Sequence, residues 1–421
     1  MREASPEVVV VGAGIVGLCV AHQLVSAGAR VRLIDPEPPG SQCSYGNSGA
    51  LSAGSVAPLA MPGVLRSSLP LLTDPDGPLF VPKNYWLKAA PWLWRFVRSA
   101  KPGRVAEIAR SLQTLLGTSV ELHQAIALDV GCDDLIRRNG QLHLYPDEEA
   151  LAADAGGWRL KVEHGLELQR VDAADIHELE PAIRRDSYRT GYFLPGEAAV
   201  TSPLAYSRAI ASALRERGAI FEQSRVLGLR PDAEGWRVQC SEREFPATDV
   251  VVCAGAWSAE LLRPLELKVP LQSQRGYHLH YPGLQDVLKR IVVLADRKVF
   301  INPMRDGLRI GGTVEIDSLI APPRMERANQ MSAHLAAGLH LPASLGEPTW
   351  WMGHRPCMPD SMPVLGGVPG MPGLWCAFGH GHLGLTGAAQ SGRWMKLCII
   401  DEAPPPEMKA FSIQRFQSAR A

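Results

Sequence analysis

Val8-Val9-Val10-Val11-Gly12-Ala13-Gly14-Ile15-Val16-Gly17, continued through Val31-Arg32-Leu33-Ile34-Asp35, decides how this chain folds. Val8–Val11 is a short all-apolar run, the pattern of a parallel strand covered on both faces. Gly12, Gly14 and Gly17 follow in G-x-G-x-x-G spacing. Ile15 to about Ala27 has helical apolar spacing, and Gly28 can end that helix. Arg30–Ile34 reads as a second strand, with Asp35 at its end. Each part has a physical task. Gly12 makes a tight turn, Gly14 lets backbone approach a pyrophosphate, and Gly17 lets helix and strand pack closely. The helix start at Ile15 and Val16 offers free N–H groups and a positive dipole end to phosphates. Asp35 can accept hydrogen bonds from a ribose diol, and its charge repels a 2′-phosphate. Strand, glycine turn, helix, strand and terminal acid together specify a dinucleotide site.

The length of 421 residues is enough for two domains around large cores. Forty-three basic and 43 acidic residues cancel, which argues against a nucleic-acid partner. The eight cysteines are scattered without a C-x-x-C, which disfavours zinc ribbons, iron–sulfur sites and redox pairs. Reduced thiols fit a cytoplasmic setting. No signal peptide is expected, since the nucleotide motif accounts for the apolar N-terminal segment. No membrane-spanning helix is expected either.

Further along, residues 40–75 read as ordered loop, and 104–130 as helical. Pro203–Arg217 reads as a helix capped by Ser202. Val226–Leu229 and Trp236–Cys240 read as a hairpin, and Asp249–Cys253 as a buried strand. Tyr277–Tyr281 alternates, placing Tyr277, Leu279 and Tyr281 on one face. Asp306-Gly307 marks another hairpin. Nucleotide-type elements occur at the start, near 200–260 and at the end. The expected fold is therefore α/β, a Rossmann-type nucleotide domain with an interleaved α+β substrate domain. The boundaries are 1–75, 191–265 and 355–421 for the first, and 76–190 and 266–354 for the second.

Four more segments carry chemistry: Ser44-Tyr45-Gly46-Asn47-Ser48-Gly49, Val250 to Ser258, Gly353-His354-Arg355-Pro356 through Gly366, and Gly379-His380-Gly381-His382-Leu383-Gly384-Leu385-Thr386. Glycine this dense at a helix start means backbone closely approached by something. Together they resemble the D-amino-acid oxidase superfamily of FAD enzymes, which includes glycine oxidase, sarcosine oxidase and bacterial D-amino-acid dehydrogenase. The likeness spans nearly the whole chain, in the family's order. Ser55-Val56-Ala57-Pro58, Met61-Pro62-Gly63, residues 275–281 and residues 353–366 look most like the bacterial D-amino-acid dehydrogenases.

The resemblance implies non-covalent FAD, because the offset of Cys357 from Asp360 does not match the linked cysteine of sarcosine oxidases. It places Gly12, Gly14, Ile15, Val16 and Gly17 at the pyrophosphate and Asp35 at the ribose. It puts Ser44, Asn47, Ser48 and Gly49 along the ribityl–flavin region, and Val226 at the adenine. Ala254 and Gly255 then flank the pyrophosphate, and Gly381, His382, Leu383, Gly384, Leu385 and Thr386 border the flavin's N1–O2 edge. A helix N-terminus there suits a reduced flavin that is anionic at N1.

Arg355 suits a substrate carboxylate, held bidentately, with a structural pairing to Asp360 as the alternative. Tyr277 either adds a hydroxyl hydrogen bond or packs in a core. His380 and His382 supply too few ligands for a metal, so one of them is expected at the flavin or substrate and no metal is expected. His278 and His280 read as exposed or hydrogen-bonded on a sheet. From Gly77 to Ala106 there is no acidic residue, while six cations mix with Trp86, Trp92, Trp94 and Phe96. This is either a domain helix with buried tryptophans or a peripheral membrane-surface helix that lets a quinone approach.

The expected activity is FAD-dependent dehydrogenation of D-amino acids or cyclic imino acids such as D-proline derivatives. Hydride passes from Cα to flavin N5, and the electrons pass on to a quinone-type acceptor. Three alternatives stand beside it: an oxygen-using amino-acid or amine oxidase, a 2-hydroxy-acid dehydrogenase, and a non-catalytic FAD-binding subunit of a complex.

Overall fold

The structure is a computed structural model describing residues 7–64, 77–342 and 345–417. Glu7–Val11 is the central strand of a six-stranded sheet. It pairs in parallel with Arg30–Asp35 on one side and Asp249–Val252 on the other. Ile220–Gln223 and Leu374–Phe378 extend the sheet in parallel, and Val364–Gly367 closes it antiparallel. Val8, Val9, Val10 and Val250–Val252 are fully buried because helices and strands cover both faces. The helix Ile15–Ser26 lies on one face beside the C-terminal helix Gly384–Ile399. Any Cβ at Gly392 would collide with the carbonyl of Cys19, so this glycine sets how closely the two helices approach.

The second, nine-stranded sheet is mostly antiparallel. Its functional part is Thr349–Cys357, Gln272–Pro282, Gly307–Ile316 and Val299–Met304, side by side in that order. Alternation along Gln272–Pro282 separates two faces. Gln274, Gly276 and His278 face the space toward the nucleotide sheet. Tyr277, Leu279 and Tyr281 share the opposite face, in a core with Ala328, Met331 and Leu335 of the helix Met325–Gly338. The interleaved two-domain architecture is as the sequence implies.

The expected boundaries need three corrections. The helices Pro102–Leu116 and Ser119–Asp129, assigned to the substrate domain, bury Ile108, Leu112 and Leu115 in the core of the nucleotide sheet with Leu18 and Ala388. Strand Thr190–Leu194 stays in the large sheet, past the boundary at 191. Thr349–Cys357 also belongs to the large sheet, so the boundary at 355 cuts a strand and Arg355 stands on the substrate side. Amphipathic periodicity shows that a helix has a buried face; it does not show which sheet that face covers. Of the loop read over 40–75, residues 65–75 lie outside the described residues.

The basic aromatic segment forms the helix Trp86–Ser99. Trp92 is buried, stacked on Phe96, and its indole donates to the carbonyl of Cys357. Leu87 and Trp94 point outward, 90% and 59% exposed. The helix thus serves as a domain helix on one side and carries an apolar, cationic stripe on the other. Among the described residues, no helix is long and apolar enough to cross a membrane.

Candidate active site

A cavity of about 770 Å³ runs between the two sheets. Its walls test whether FAD fits. Gly12 has φ +111°, and a Cβ there would strike the carbonyl of Cys253. A Cβ on Gly14 would meet only the Ser44 hydroxyl, at 3.5 Å, and one on Gly255, at φ +53°, would meet nothing within 4 Å. These are open backbone surfaces that a phosphate can approach. Asp35 accepts from Ala13 N at 2.7 Å and Glu37 N at 2.9 Å, and burial raises its carboxyl above the ordinary range. Ile15, Val16, Val226 and Ala254 line the same wall, as does Glu37, which sequence reasoning missed. The volume, glycine cradle and ribose acid fit a dinucleotide. Gly17 does not face the cavity. It lies under the turn, where a Cβ would collide with the carbonyl of Gly12, so its role is packing rather than contact.

The loop Ser44–Gly49 is held from both sides. Ser44 Oγ accepts from Ile15 N at 2.9 Å, tying the loop to the helix start. Five successive carbonyls are then taken. Arg309 donates to Tyr45 O at 2.7 Å and Asn47 O at 2.6 Å. His278 Nδ1 bonds Gly46 O at 3.1 Å, Asn302 donates to Ser48 O, and Val200 N donates to Gly49 O at 2.7 Å. Ser44, Asn47 and Ser48 line the cavity, whereas Gly49, at φ +80°, packs on Val200 instead. His278 is buried, not exposed, and burial together with the Arg309 charge pulls its pKa down to about 2. Arg309, Asn302 and His278 were not legible as loop anchors, since nothing in three strand segments names the carbonyls they meet.

Arg355 lies flat across Gly276, where a Cβ would collide with its guanidinium. Its Nη1 donates to Thr313 O at 3.1 Å, and the group lines the cavity wall. Asp360 is not its partner. That carboxylate binds Arg415 at 2.9 Å and Arg104 at 3.4 Å. Trp351 folds across Gly353 and Gly46 and stacks on His278 at 5.3 Å. Tyr277 departs from the expectation of a carboxylate contact. The residue borders the cavity, but its hydroxyl donates to Glu315 and accepts from Arg324 N at 3.1 Å, on the core face of the strand. Strand alternation puts it opposite Gln274 and Gly276, the residues beside Arg355.

The two histidines of the C-terminal turn both border the cavity but differ in their partners. His380 Nε2 bonds Ser391 Oγ at 2.8 Å against the helix Gly384–Ile399, and burial holds its pKa down at about 3. His382 opens into the cavity, and burial plus the Arg355 charge hold it neutral down to about 4. Gly381, Leu383, Gly384, Leu385 and Thr386 line the same edge. Cys357 is buried, its thiol pushed up to about 12, which removes the thiolate a covalent attachment would need.

Glu197 stands behind this wall, 2% exposed. Its Oε1 accepts from Gly54 N at 2.9 Å and its Oε2 has no partner. Burial pushes its pKa up to about 7 from an ordinary 4.5. A raised folded pKa makes its stabilising contribution greatest below pH 4.5, and that contribution is lost as pH rises to about 7. Glu197→Gln should therefore stabilise the protein at pH 8, by up to about 3 kcal/mol on that shift, and change little at pH 4.5. Melting temperatures at the two pH values check this; equal effects at both would refute it.

Comparison with known proteins places this geometry. The model of the family described as FAD dependent oxidoreductase matches residues 7–396. A D-amino-acid oxidase of Bradyrhizobium diazoefficiens is 34% identical over 418 residues, covering 97% of this chain and 98% of that protein. A D-amino acid dehydrogenase of Rhodopseudomonas palustris is 28% identical, covering 99% of both chains. The crystal structure of L-proline dehydrogenase from P. horikoshii superposes with a TM-score of 0.74 at 17% identity, covering 98% of both chains; it shares the fold.

Proposed function

The chain belongs to the FAD dependent oxidoreductase family, and on that premise we propose that it oxidises the Cα–N bond of D-amino acids, with oxygen taking up the electrons. The observation that carries the substrate reading is the Arg355 guanidinium, spread over Gly276 in the wall that His382 also lines. FAD, bound non-covalently, supplies the hydride acceptor at its N5.

The protein's part is orientation and charge. Arg355 holds the substrate carboxylate by a planar fork while Thr313 fixes the guanidinium from behind. Gln274, on the same face and directly across from Arg355, is placed to add the second contact expected of Tyr277. His382, kept neutral, does not repel the substrate ammonium and offers it a lone pair. The amine must lose a proton before hydride leaves Cα, and water can receive that proton. Oxidation then gives an imine, which hydrolyses to a 2-oxo acid and ammonia.

Identity supports oxygen over quinone: the oxidase relative stands at 34% and the dehydrogenase relative at 28%, each along nearly the whole chain. Stopped-flow reoxidation of substrate-reduced enzyme, at matched oxygen and quinone concentrations, tests it. Oxygen is expected to react faster. A faster quinone reaction, joined to binding of anionic vesicles through Leu87, Trp94 and the cations around them, would return the protein to the dehydrogenase reading. D-amino acids should bleach the bound flavin anaerobically; bleaching by 2-hydroxy acids alone would refute the substrate class.

A further inference from the structure

Arg309 is a buried guanidinium on the cavity wall, 5% exposed. Among the described residues, its hydrogen bonds go to the two carbonyls of Tyr45 and Asn47. Its Nε has no partner. Burial depresses its pKa to about 10, against weaker support from Tyr45 and Asp306. The Asp306 side chain is 81% exposed and pairs with His280, so it is no buried counter-ion. The neighbouring ring of His278 is held neutral and cannot share or oppose the charge. The guanidinium also lies over the Tyr45 ring, 5.3 Å from its centroid. A buried cation satisfied by two carbonyls and a ring face, without a buried carboxylate among the described residues, is costly and favours an anion beside it.

We propose that Arg309 is a positioning residue for the cofactor: it draws the Tyr45 and Asn47 carbonyls onto the large sheet, which turns Ser44, Asn47 and Ser48 toward the cavity, and its unpaired charge favours the reduced, anionic FAD ring over the oxidised one. The two roles are separable. The loop role needs the forked geometry of arginine; the charge role needs only a cation. Asn302 shares the loop role without the charge, through Ser48. The proposal rests on FAD binding and not on the choice of substrate or acceptor.

The test is spectroelectrochemistry and FAD titration of the holoenzyme and its variants. Arg309→Gln keeps hydrogen-bond donors without charge. It should shift the equilibrium at least tenfold toward oxidised FAD, a fall of about 30 mV for a two-electron couple. Arg309→Met should show that fall together with at least tenfold weaker FAD binding. Arg309→Lys should restore the potential but not the affinity. Asn302→Ala should weaken FAD binding and leave the potential alone. A wild-type potential in Arg309→Gln would overturn the charge role, and wild-type FAD affinity in both Arg309→Lys and Asn302→Ala would overturn the loop role. Should Arg309→Met fail to fold, the Gln, Lys and Ala variants still decide both.

Discussion

Arg355→Lys is expected to keep its FAD and lose kcat/KM roughly 10- to 150-fold, which is about 1.5–3 kcal/mol, the scale of a charge-assisted hydrogen bond. Lysine retains the charge but cannot make a fork. Gly276→Ala should act in the same direction without touching any charge, because its Cβ occupies the space in which the guanidinium lies. The guanidinium must lift off the strand and lose Thr313 O. The two substitutions remove one arrangement, so the double variant should be little worse than the worse single one. Steady-state kinetics on the three variants, with the flavin spectrum as control for cofactor content, make the measurement. Additive losses would show that Gly276 acts by another route. Unchanged kinetics in Arg355→Lys would return Arg355 to a structural role.

Gly12→Val should yield a chain without FAD. At φ +111° any side chain is strained, by roughly 1–2 kcal/mol, and the Cβ also collides with the Cys253 carbonyl just past the neighbouring strand Asp249–Val252. Relief of that collision must open the turn that the pyrophosphate approaches. Gly28→Ala is the matched control. It also has positive φ, +85°, but a Cβ there meets nothing within 4 Å. It should cost roughly 1–2 kcal/mol of stability and retain full cofactor. Absorbance ratios of the purified proteins separate the two. Full flavin content in Gly12→Val would show that the turn can relax and that the glycine fingerprint is not what admits the cofactor.

Residues 8–35 could be read directly because every requirement there is local. A valine run, three glycines at fixed offsets and an acid at a strand end each act on their immediate neighbours, and the structure places Val11, Gly12, Gly14 and Asp35 at the cavity, with Gly17 just beneath it. The C-terminal turn Gly381–Thr386 was legible for the same reason. Tyr277 was half legible. Its period of two correctly grouped it with Leu279 and Tyr281, but the same pattern describes a face toward the substrate or toward a core helix. Arg355 was legible as a guanidinium with work to do, not as one lying over Gly276.

The sequence by itself therefore determined the nucleotide fold and a dinucleotide site, since short-range spacing encodes strand, turn and helix start, and the family resemblance carried by its motifs added FAD and the segments that reach it. Only the tertiary structure decided which face of each strand meets the cavity, that Asp360 belongs to Arg415 and Arg104, and that Arg309, His278 and Asn302 hold the loop Ser44–Gly49. All but the Asp360–Arg415 pair join residues more than 200 positions apart, and the pairing of strands that brings them together leaves no local signal in any one of them.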